Sequence, residues 1–258
     1  MKPAQATEKV IKLVEEQTGL PVHVEPDPNL PSTTLASVQM ARGRTRLHQV
    51  LYQPASTQSP DYLIVQQCGF ILRLYSVAPE QRFDLTSAPQ ADAAITDMIA
   101  AHPGCQGMAR EAVPHYVKFL RDTVMMQLRS IPIGLRVDRW VMKEFPELDS
   151  LQRQAVRRQL QDAASAVQPK VRESVPEPVF AANSKINAAF AAFWSECLDE
   201  PPITLPYKSA GFLEGGLALL KTWREIPEDP SNDRALVEAW AEALGFEGWC
   251  CWQPYTVQ

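Results

Sequence analysis

Residues 62–73 carry polar side chains whose types and spacing are the nearest in this sequence to those of a catalytic or metal-binding site. Apolar residues follow helical spacing along the segment, which predicts a helix buried in the core. Gln66, Gln67, Cys68 and Gly69 interrupt that apolar pattern. A buried glutamine amide needs hydrogen-bond partners, and a glycine inside a helix costs about 1 kcal/mol relative to alanine. The two glutamines and the glycine are less expected in an ordinary core helix, so the segment is the first candidate for a functional site.

Cys68 could act as a nucleophile only with a histidine base close to its sulfur. The chain has four histidines, and His48 lies on a predicted strand just before the helix, from which it could approach the helix. Cys68 is two positions from Gln66, so the two side chains lie on different faces. A small buried cysteine is therefore the favoured interpretation, and a thiol enzyme is an alternative.

The residues Gln66-Gln67-Cys68-Gly69-Phe70 also have the spacing of a zinc-peptidase helix. Such a helix carries His-Glu-x-x-His, in which two histidines one turn apart bind the metal and the glutamate polarises the attacking water. The apolar surroundings and the small glycine before the last position fit this frame. The three residues that do the chemistry are replaced.

The elements in front of this helix resemble the ImmA/IrrE-type family of small bacterial metallopeptidases. An amphipathic pattern predicts a helix over residues 5–18 that ends at Gly19. Alternation and β-branched residues predict strands at 21–24, 33–40 and 47–52, followed by a polar loop at 53–60. Helix, small sheet and signature helix follow one another at the front of compact zincin domains, and the resemblance covers about residues 5–76.

What the resemblance implies for the site is mostly negative. Gln66 stands where the first zinc-binding histidine would be, Gln67 where the catalytic glutamate would be, and Phe70 where the second histidine would be. A glutamine cannot act as the general base, and a phenylalanine has no lone pair to offer a metal. A third ligand normally comes from a later helix, and the candidates are Glu80, Asp92, Asp97, His102 and Glu111. We therefore expect no catalytic residues, no metal and no cofactor.

The rest of the chain is predicted to be largely helical. Helices are predicted at 91–101, 107–129, 135–144, 150–166, 185–197, 212–223 and 235–244, with a break at 131–134, a cap at Asn183 and a strand or extended segment at 246–252. Residues 168–180, rich in proline and charge, are predicted to be a linker or extended arm. The expected fold is α+β, with a zincin-like N-terminal part. The expected domains are a metallopeptidase-like domain with a helical extension at 1–168 and a helical region at 169–258.

Two arginine groups could bind a partner. Arg42, Arg44 and Arg46 surround a turn, and alternation would place all three on one face if the segment were a strand. A nucleic-acid backbone contact and a solvated hairpin are the two interpretations. Arg153, Arg157 and Arg158 form a basic helix face suited to solvent or a partner protein. The chain has 25 basic and 30 acidic residues, a net charge of −5, so any nucleic-acid surface must be local.

Composition restricts the cellular location that the sequence predicts. The sequence has no apolar run of about 18 residues, which argues against a membrane span, and its N-terminus lacks the apolar core of a signal peptide. Five cysteines without a Cys-x-x-Cys pair favour reduced thiols in the cytoplasm over a disulfide framework.

These observations predict a pseudoenzyme: a non-catalytic, protein-binding or structural subunit of a bacterial complex. The resemblance implies a mobile-element, defence or stress-response setting. The alternatives are a nucleic-acid-binding module that uses residues 42–46 and a peptidase with an atypical metal site. Phe70 is expected to be mostly buried and to seal the former site, which would move partner contacts to the two arginine groups or to the arm at 168–180.

Overall fold

The computed structural model describes residues 2–54 and 59–257. The chain divides into two compact units, and neither is continuous in sequence. Unit 1 contains residues 1–83, 133–159 and 254–258, and unit 2 contains residues 84–132 and 160–253. The fold is α+β and mostly helical, as predicted. Residues 168 and 169, between which the sequence analysis placed a domain boundary, both belong to unit 2.

Unit 1 begins with a helix, a three-stranded sheet and a second helix, in the predicted order. These elements are α1 (Pro3–Thr18), β1 (Val22–Pro26), β2 (Ala36–Gln39), β3 (His48–Tyr52) and α2 (Asp61–Tyr75). The sheet order is β1-β3-β2, with β1 parallel and β2 antiparallel to β3. Val50 of β3 pairs with Val24 on one side and Val38 on the other. Residues 55–58 of the predicted polar loop lie outside the described residues.

The core of unit 1 lies between α1, α2 and the sheet. Val10 and Val14 of α1 and Leu63 of α2 are buried together with Val50 of β3. These residues are the apolar positions from which the helical and strand periods were predicted. Burial of this stripe supplies the free energy that an isolated amphipathic helix lacks.

Two helices cross the boundary between the units. They are α4 (Val113–Glu144) and α5 (Asp149–Ser165). The predicted break at 131–134 is wrong, because α4 continues through Pro132. A proline inside a helix removes one backbone hydrogen bond, but buried Leu128 and Leu135 anchor α4 on both sides of it. The Pro132 carbonyl also accepts a hydrogen bond from Trp223 Nε1 at 2.9 Å. Tertiary packing therefore overrides the local signal.

Unit 2 is built mainly from helices. Its further elements are β4 (Phe83–Ser87), α3 (Gln90–Ala101), α6 (Pro169–Ser174), α7 (Glu177–Leu198), α8 (Leu205–Ser209), α9 (Leu213–Glu225), α10 (Asp233–Ala243) and β5 (Cys250–Pro254). Strands β4 and β5 form a two-stranded sheet, so the aromatic tail includes a strand, as predicted. Helix α7 packs against α9 and buries Phe193 and Trp194.

The extended arm predicted at 168–180 is wrong. The segment contains the whole of α6 and the first turn of α7. Pro169 and Pro178 occupy the first turns of these helices, where a backbone N–H has no intrahelical partner to lose. An ion pair of 2.9 Å between Arg172 and Glu177 joins the two helices. Asn183, predicted as a cap, lies inside α7, where it accepts hydrogen bonds from Gln127 and Asn187.

Candidate functional site

Helix α2 meets the part of α4 that belongs to unit 1 at Gly69. A Cβ atom at this position would lie 2.5 Å from Val137 Cγ1 and 3.2 Å from the ring of Trp140, so the present spacing requires a glycine. Phe70 lies beside Gly134 and packs against the core of unit 1 without being fully buried. Phe70 was expected to be mostly buried and to seal the former site, and its burial is only partial. The glycine inside the helix has a packing role.

A polar cluster lies between the same two helices. Asp138 Oδ1 accepts hydrogen bonds from Tyr62 Oη at 2.8 Å and from Gln66 Nε2 at 2.7 Å. The Gln66 amide also donates to Tyr62 Oη at 3.0 Å, and its Oε1 accepts from Gln67 Nε2 at 3.3 Å. Gln152 of α5 donates to the Asp138 backbone carbonyl at 3.1 Å. The buried glutamine amides of α2 thus have hydrogen-bond partners, which the sequence analysis required but did not identify.

Burial controls the electrostatics of this cluster. Asp138 is 1% exposed. Desolvation raises the pKa of its carboxyl to about 6, although the hydrogen bonds from Gln66 and Tyr62 lower it. The pKa of the Tyr62 hydroxyl is raised by burial and by the charge of Asp138. A carboxylate with so little access to water is poorly suited to receive a substrate or to exchange protons with one.

The zinc implied by the family resemblance does not fit these residues. Gln66 directs its amide nitrogen, which is a donor and not a metal ligand, at Asp138 Oδ1 and Tyr62 Oη. Phe70 offers no ligand atom. Across the part of the chain that the structure describes, no three His, Cys, Asp or Glu side chains come together as metal ligands. No catalytic step through a metal can be derived from this arrangement.

Sequence reasoning missed Asp138, which is the carboxylate that faces Gln66. Of the predicted third ligands, Glu80 lies in a short 3₁₀ turn. Asp92, in unit 2, is paired with Arg121 Nη1 at 2.8 and 2.9 Å. A signal for Asp138 was present, because it lies three residues from both Leu135 and Val141 and therefore on the apolar face of its helix.

Cys68 and His48 do not behave as a nucleophile and its base. Burial raises the pKa of the Cys68 thiol to about 12, so it is not a thiolate at neutral pH. The His48 ring packs edge-on against Tyr75, two helical turns and a rise of about 10 Å beyond Cys68. His48 Nδ1 accepts the Ala41 N–H at 3.2 Å, and burial lowers the pKa of the imidazole to about 4. His48 approaches the helix as expected, but at its C-terminal end, at Tyr75, instead of at Cys68.

The arginines at 42–46 surround a tight turn instead of forming a strand. Arg42 and Thr45 pair through two backbone hydrogen bonds, with Gly43 and Arg44 between them. The turn is tight because Gly43 has a φ of 52°, which glycine adopts without strain. The three arginines are exposed, but they do not share one strand face.

The basic helix face of α5 is partly neutralised. Arg153 Nε lies 2.8 Å from the Asp149 carboxylate, an i,i+4 ion pair on the same helix. Arg158 reaches the backbone carbonyl of Ser32 at 3.5 Å, at the edge of hydrogen-bonding distance. Arg157 is exposed. Arg153 and Arg158 therefore each have an acceptor within unit 1.

Unit 2 has an exposed apolar pair that the sequence analysis missed. Phe119 is 60% exposed and Met126 is 54% exposed, and they lie seven residues apart on one face of α4. The buried apolar residues of this stretch, which include Leu120 and Val124, lie on another face of the helix. Nearby is an open cleft of about 410 Å³, lined by Asp92, Thr96, Arg110, Val113, Pro114 and Val117.

Comparisons with protein-family models, with curated proteins and with solved structures gave no match. The resemblance of the N-terminal part therefore rests on its residues and the order of its elements. Within residues 2–54 and 59–257, no helix combines the length and the apolar character needed to cross a membrane.

Proposed function

We propose that this protein is a non-catalytic, protein-binding subunit of a bacterial complex, acting in the cytoplasm and built on a degenerate metallopeptidase-like unit 1. The observation that carries this proposal is the closed polar cluster at Asp138. The Tyr62 hydroxyl and the Gln66 amide both donate to Asp138 Oδ1, and Asp138 is 1% exposed. A substrate would have to displace these hydrogen bonds and open the core to reach it.

Two features support the metallopeptidase ancestry. The elements α1, β1 to β3 and α2 follow the order that the resemblance implies. A later helix also supplies a carboxylate opposite the position of the first zinc ligand, since Asp138 lies 2.7 Å from Gln66 Nε2. In an active relative, a third ligand from a later helix would be expected at such a place.

The exposed apolar pair supports a protein partner. Phe119 and Met126 leave more than half of their surface in water on one helix face. Aromatic residues and methionine are enriched in the buried centres of protein interfaces. Tyr116 stacks on Phe119 with ring centroids 6.2 Å apart, which enlarges the aromatic surface. A partner that covers this face would remove apolar surface from water.

The partner can be tested by affinity capture from native cells with the double variant Phe119→Ser and Met126→Ser. The matched control is Leu205→Ser and Leu217→Ser, because these residues are also large, apolar and exposed. We expect the first variant to lose a protein that the wild type and the control retain. Equal capture by all three proteins would contradict a docking role for this face of α4.

The ancestry can be tested by restoring the motif. Gln66→His, Gln67→Glu and Phe70→His together would place two imidazoles on α2 near Asp138. If the scaffold is that of a zinc peptidase, the triple variant should bind cobalt with the spectrum of a tetrahedral site. Adding Asp138→Ala to the triple variant should abolish binding. A folded triple variant that binds no cobalt would argue against the ancestry.

Elemental analysis of the wild-type protein tests the alternative of an atypical metal site. The donor set at Gln66, Phe70 and Asp138 predicts no stoichiometric zinc. About one zinc per chain, lost in Asp138→Ala, would overturn the non-catalytic proposal, and a peptidase with an unusual ligand set would replace it.

A further inference from the structure

The turn at residues 42–46 is held by the C-terminal end of the chain. The Gly43 N–H donates to the Thr256 carbonyl at 3.1 Å, and Gly43 forms a parallel bridge with Val257. The segments are more than two hundred residues apart in sequence, and both belong to unit 1. A surface turn that is fixed at its central residue by another segment loses little further freedom when it binds a ligand.

Tyr255 provides the second attachment. Its hydroxyl donates to the Ala41 carbonyl, just before the turn, and lies 3.2 Å from the Tyr75 hydroxyl on α2. Its backbone N–H donates to the Arg82 carbonyl at 2.9 Å. The Arg42 guanidinium lies 5.8 Å from the centre of the Tyr255 ring, within the range of a cation–π contact. Tyr255 is 6% exposed and ties the turn to the core of unit 1.

We propose that this turn binds the phosphate backbone of a nucleic acid, an activity beyond the proposed protein binding. Arg44, at the tip, and Thr45 and Arg46, which follow it, are exposed. Guanidinium groups bind phosphate oxygens bidentately, and threonine hydroxyls are common phosphate donors. The turn presents these groups from a fixed backbone, which orients them before the ligand arrives.

The composition of the turn favours a nucleic acid over an acidic protein. A specific protein interface is centred on buried aromatic or apolar anchors. Next to the turn, Leu47 is a large apolar residue with 37% of its surface exposed, and a single leucine is not the aromatic or apolar cluster that centres such an interface. Phosphate contacts need cations and hydroxyls alone. The net charge of −5 opposes non-specific attraction of nucleic acid to the whole chain, so binding would have to be local.

The test is the binding of a fluorescein-labelled DNA duplex, and of one of its strands, to the full chain over a range of salt concentrations. In Arg44→Gln with Arg46→Gln, the slope of log Kobs against log salt for the duplex should become shallower by about 0.9 per arginine. Lys12→Gln with Lys143→Gln removes the same charge elsewhere in unit 1, from two exposed side chains, and should leave the slope unchanged. An equal change in both variants, or no binding by the wild type at low salt, would overturn the proposal.

Tyr255→Phe tests the role of the C-terminal end. It removes the hydroxyl bonded to Ala41 but retains every arginine and the ring beside Arg42. We expect weaker DNA binding by about fivefold, the effect of one hydrogen bond, with unchanged circular dichroism. Unaltered affinity would show that the turn needs no such support. Equal competition by poly-glutamate at matched charge would mean that carboxylates serve as well as phosphates, and would overturn the assignment to nucleic acid.

Discussion

The contact between α2 and α4 in unit 1 and the contact between α7 and α9 in unit 2 each place a glycine where two helices come closest. In unit 1, a Cβ on Gly69 would meet side-chain atoms of Val137 and Trp140. In unit 2, a Cβ on Gly216 would meet the Cβ and backbone carbon of Ala188 and the backbone nitrogen of Ala189, at 2.5 to 2.7 Å. In unit 1, the distance between the helices is limited by side chains, which can rotate. In unit 2, it is limited mainly by backbone atoms, which cannot move independently.

The two contacts also differ in polarity. In unit 1, the carboxylate of Asp138 joins Tyr62 and Gln66 in mutual hydrogen bonds. In unit 2, α7 buries Ser184 Oγ and Trp194 Nε1 without a hydrogen-bond partner among the described residues. A satisfied polar cluster defines which residues of two helices face each other. An alanine-rich contact defines only how close the helices come, so the two regions should respond differently to substitution.

Removing the carboxylate should have the largest effect. Asp138→Ala leaves the Tyr62 hydroxyl and one N–H of the Gln66 amide buried without an acceptor, at about 1 to 3 kcal/mol each, so we expect a loss of about 4 kcal/mol in the free energy of unfolding. Urea denaturation at neutral pH would measure it. Gln152→Ala, which removes a donor to the Asp138 backbone carbonyl and to Tyr62 but keeps the carboxylate, is the control. A loss below about 1 kcal/mol in Asp138→Ala would contradict the structural role of the cluster.

The alanine-rich contact should be nearly as sensitive. Gly216→Ala forces the backbones of α7 and α9 apart and should cost about 3 kcal/mol. The neighbouring Gly215→Ala meets only the flexible side chain of Lys185 and gains helix propensity, so it should be neutral or slightly stabilising. Thermal unfolding of both variants gives the comparison. Similar melting temperatures would mean that the backbone contact is not limiting.

Gly69→Ala should fall between these two results. The new methyl group meets Val137 Cγ1 at 2.5 Å, but the valine side chain and the Trp140 ring can shift, so we expect a loss of about 1 to 2 kcal/mol. Combining it with Val137→Ala should restore part of this loss, because the second change removes the colliding atom. Strict additivity of the two changes in denaturant unfolding would argue against direct contact.

The smallest expected effect is a pH dependence with opposing parts. Burial raises the pKa of Asp138 from 3.8 to about 6, so the folded state gains about 1 kcal/mol of stability as the pH falls from 7 to 5. Burial lowers the pKa of His48 from 6.5 to about 4, so about 2 kcal/mol is lost over the same interval, because the unfolded state takes up the proton first.

Two variants separate these parts. Relative to wild type, Asp138→Asn should lose about 1 kcal/mol more between pH 7 and pH 5, because His48 is then unopposed. His48→Asn, whose side-chain oxygen can still accept the Ala41 N–H, should lose about 2 kcal/mol less. Urea denaturation at the two pH values would measure these differences. The same change in unfolding free energy for all three proteins would refute the assignment of the pH dependence to Asp138 and His48.

Much of unit 1 could be predicted from local sequence. The helical period of the apolar residues in α1 and α2 and the alternation in β3 placed these elements within a few residues. The same reasoning failed at Pro132 and at residues 168–180. A proline in a first turn, or one held between buried leucines, does not break a helix, and local rules do not contain that context.

The sequence by itself determined that residues 62–73 form a buried helix and that Arg44 and Arg46 are exposed, because apolar periodicity and charge act locally. Only the tertiary structure decided what the unusual residues do. Gln66 is satisfied by Asp138, seventy-two residues away, and the turn at Gly43 is fixed by the end of the chain. Hydrogen bonds and close approaches depend on which segments meet in space, and that is set by packing of the whole core rather than by residue type and spacing.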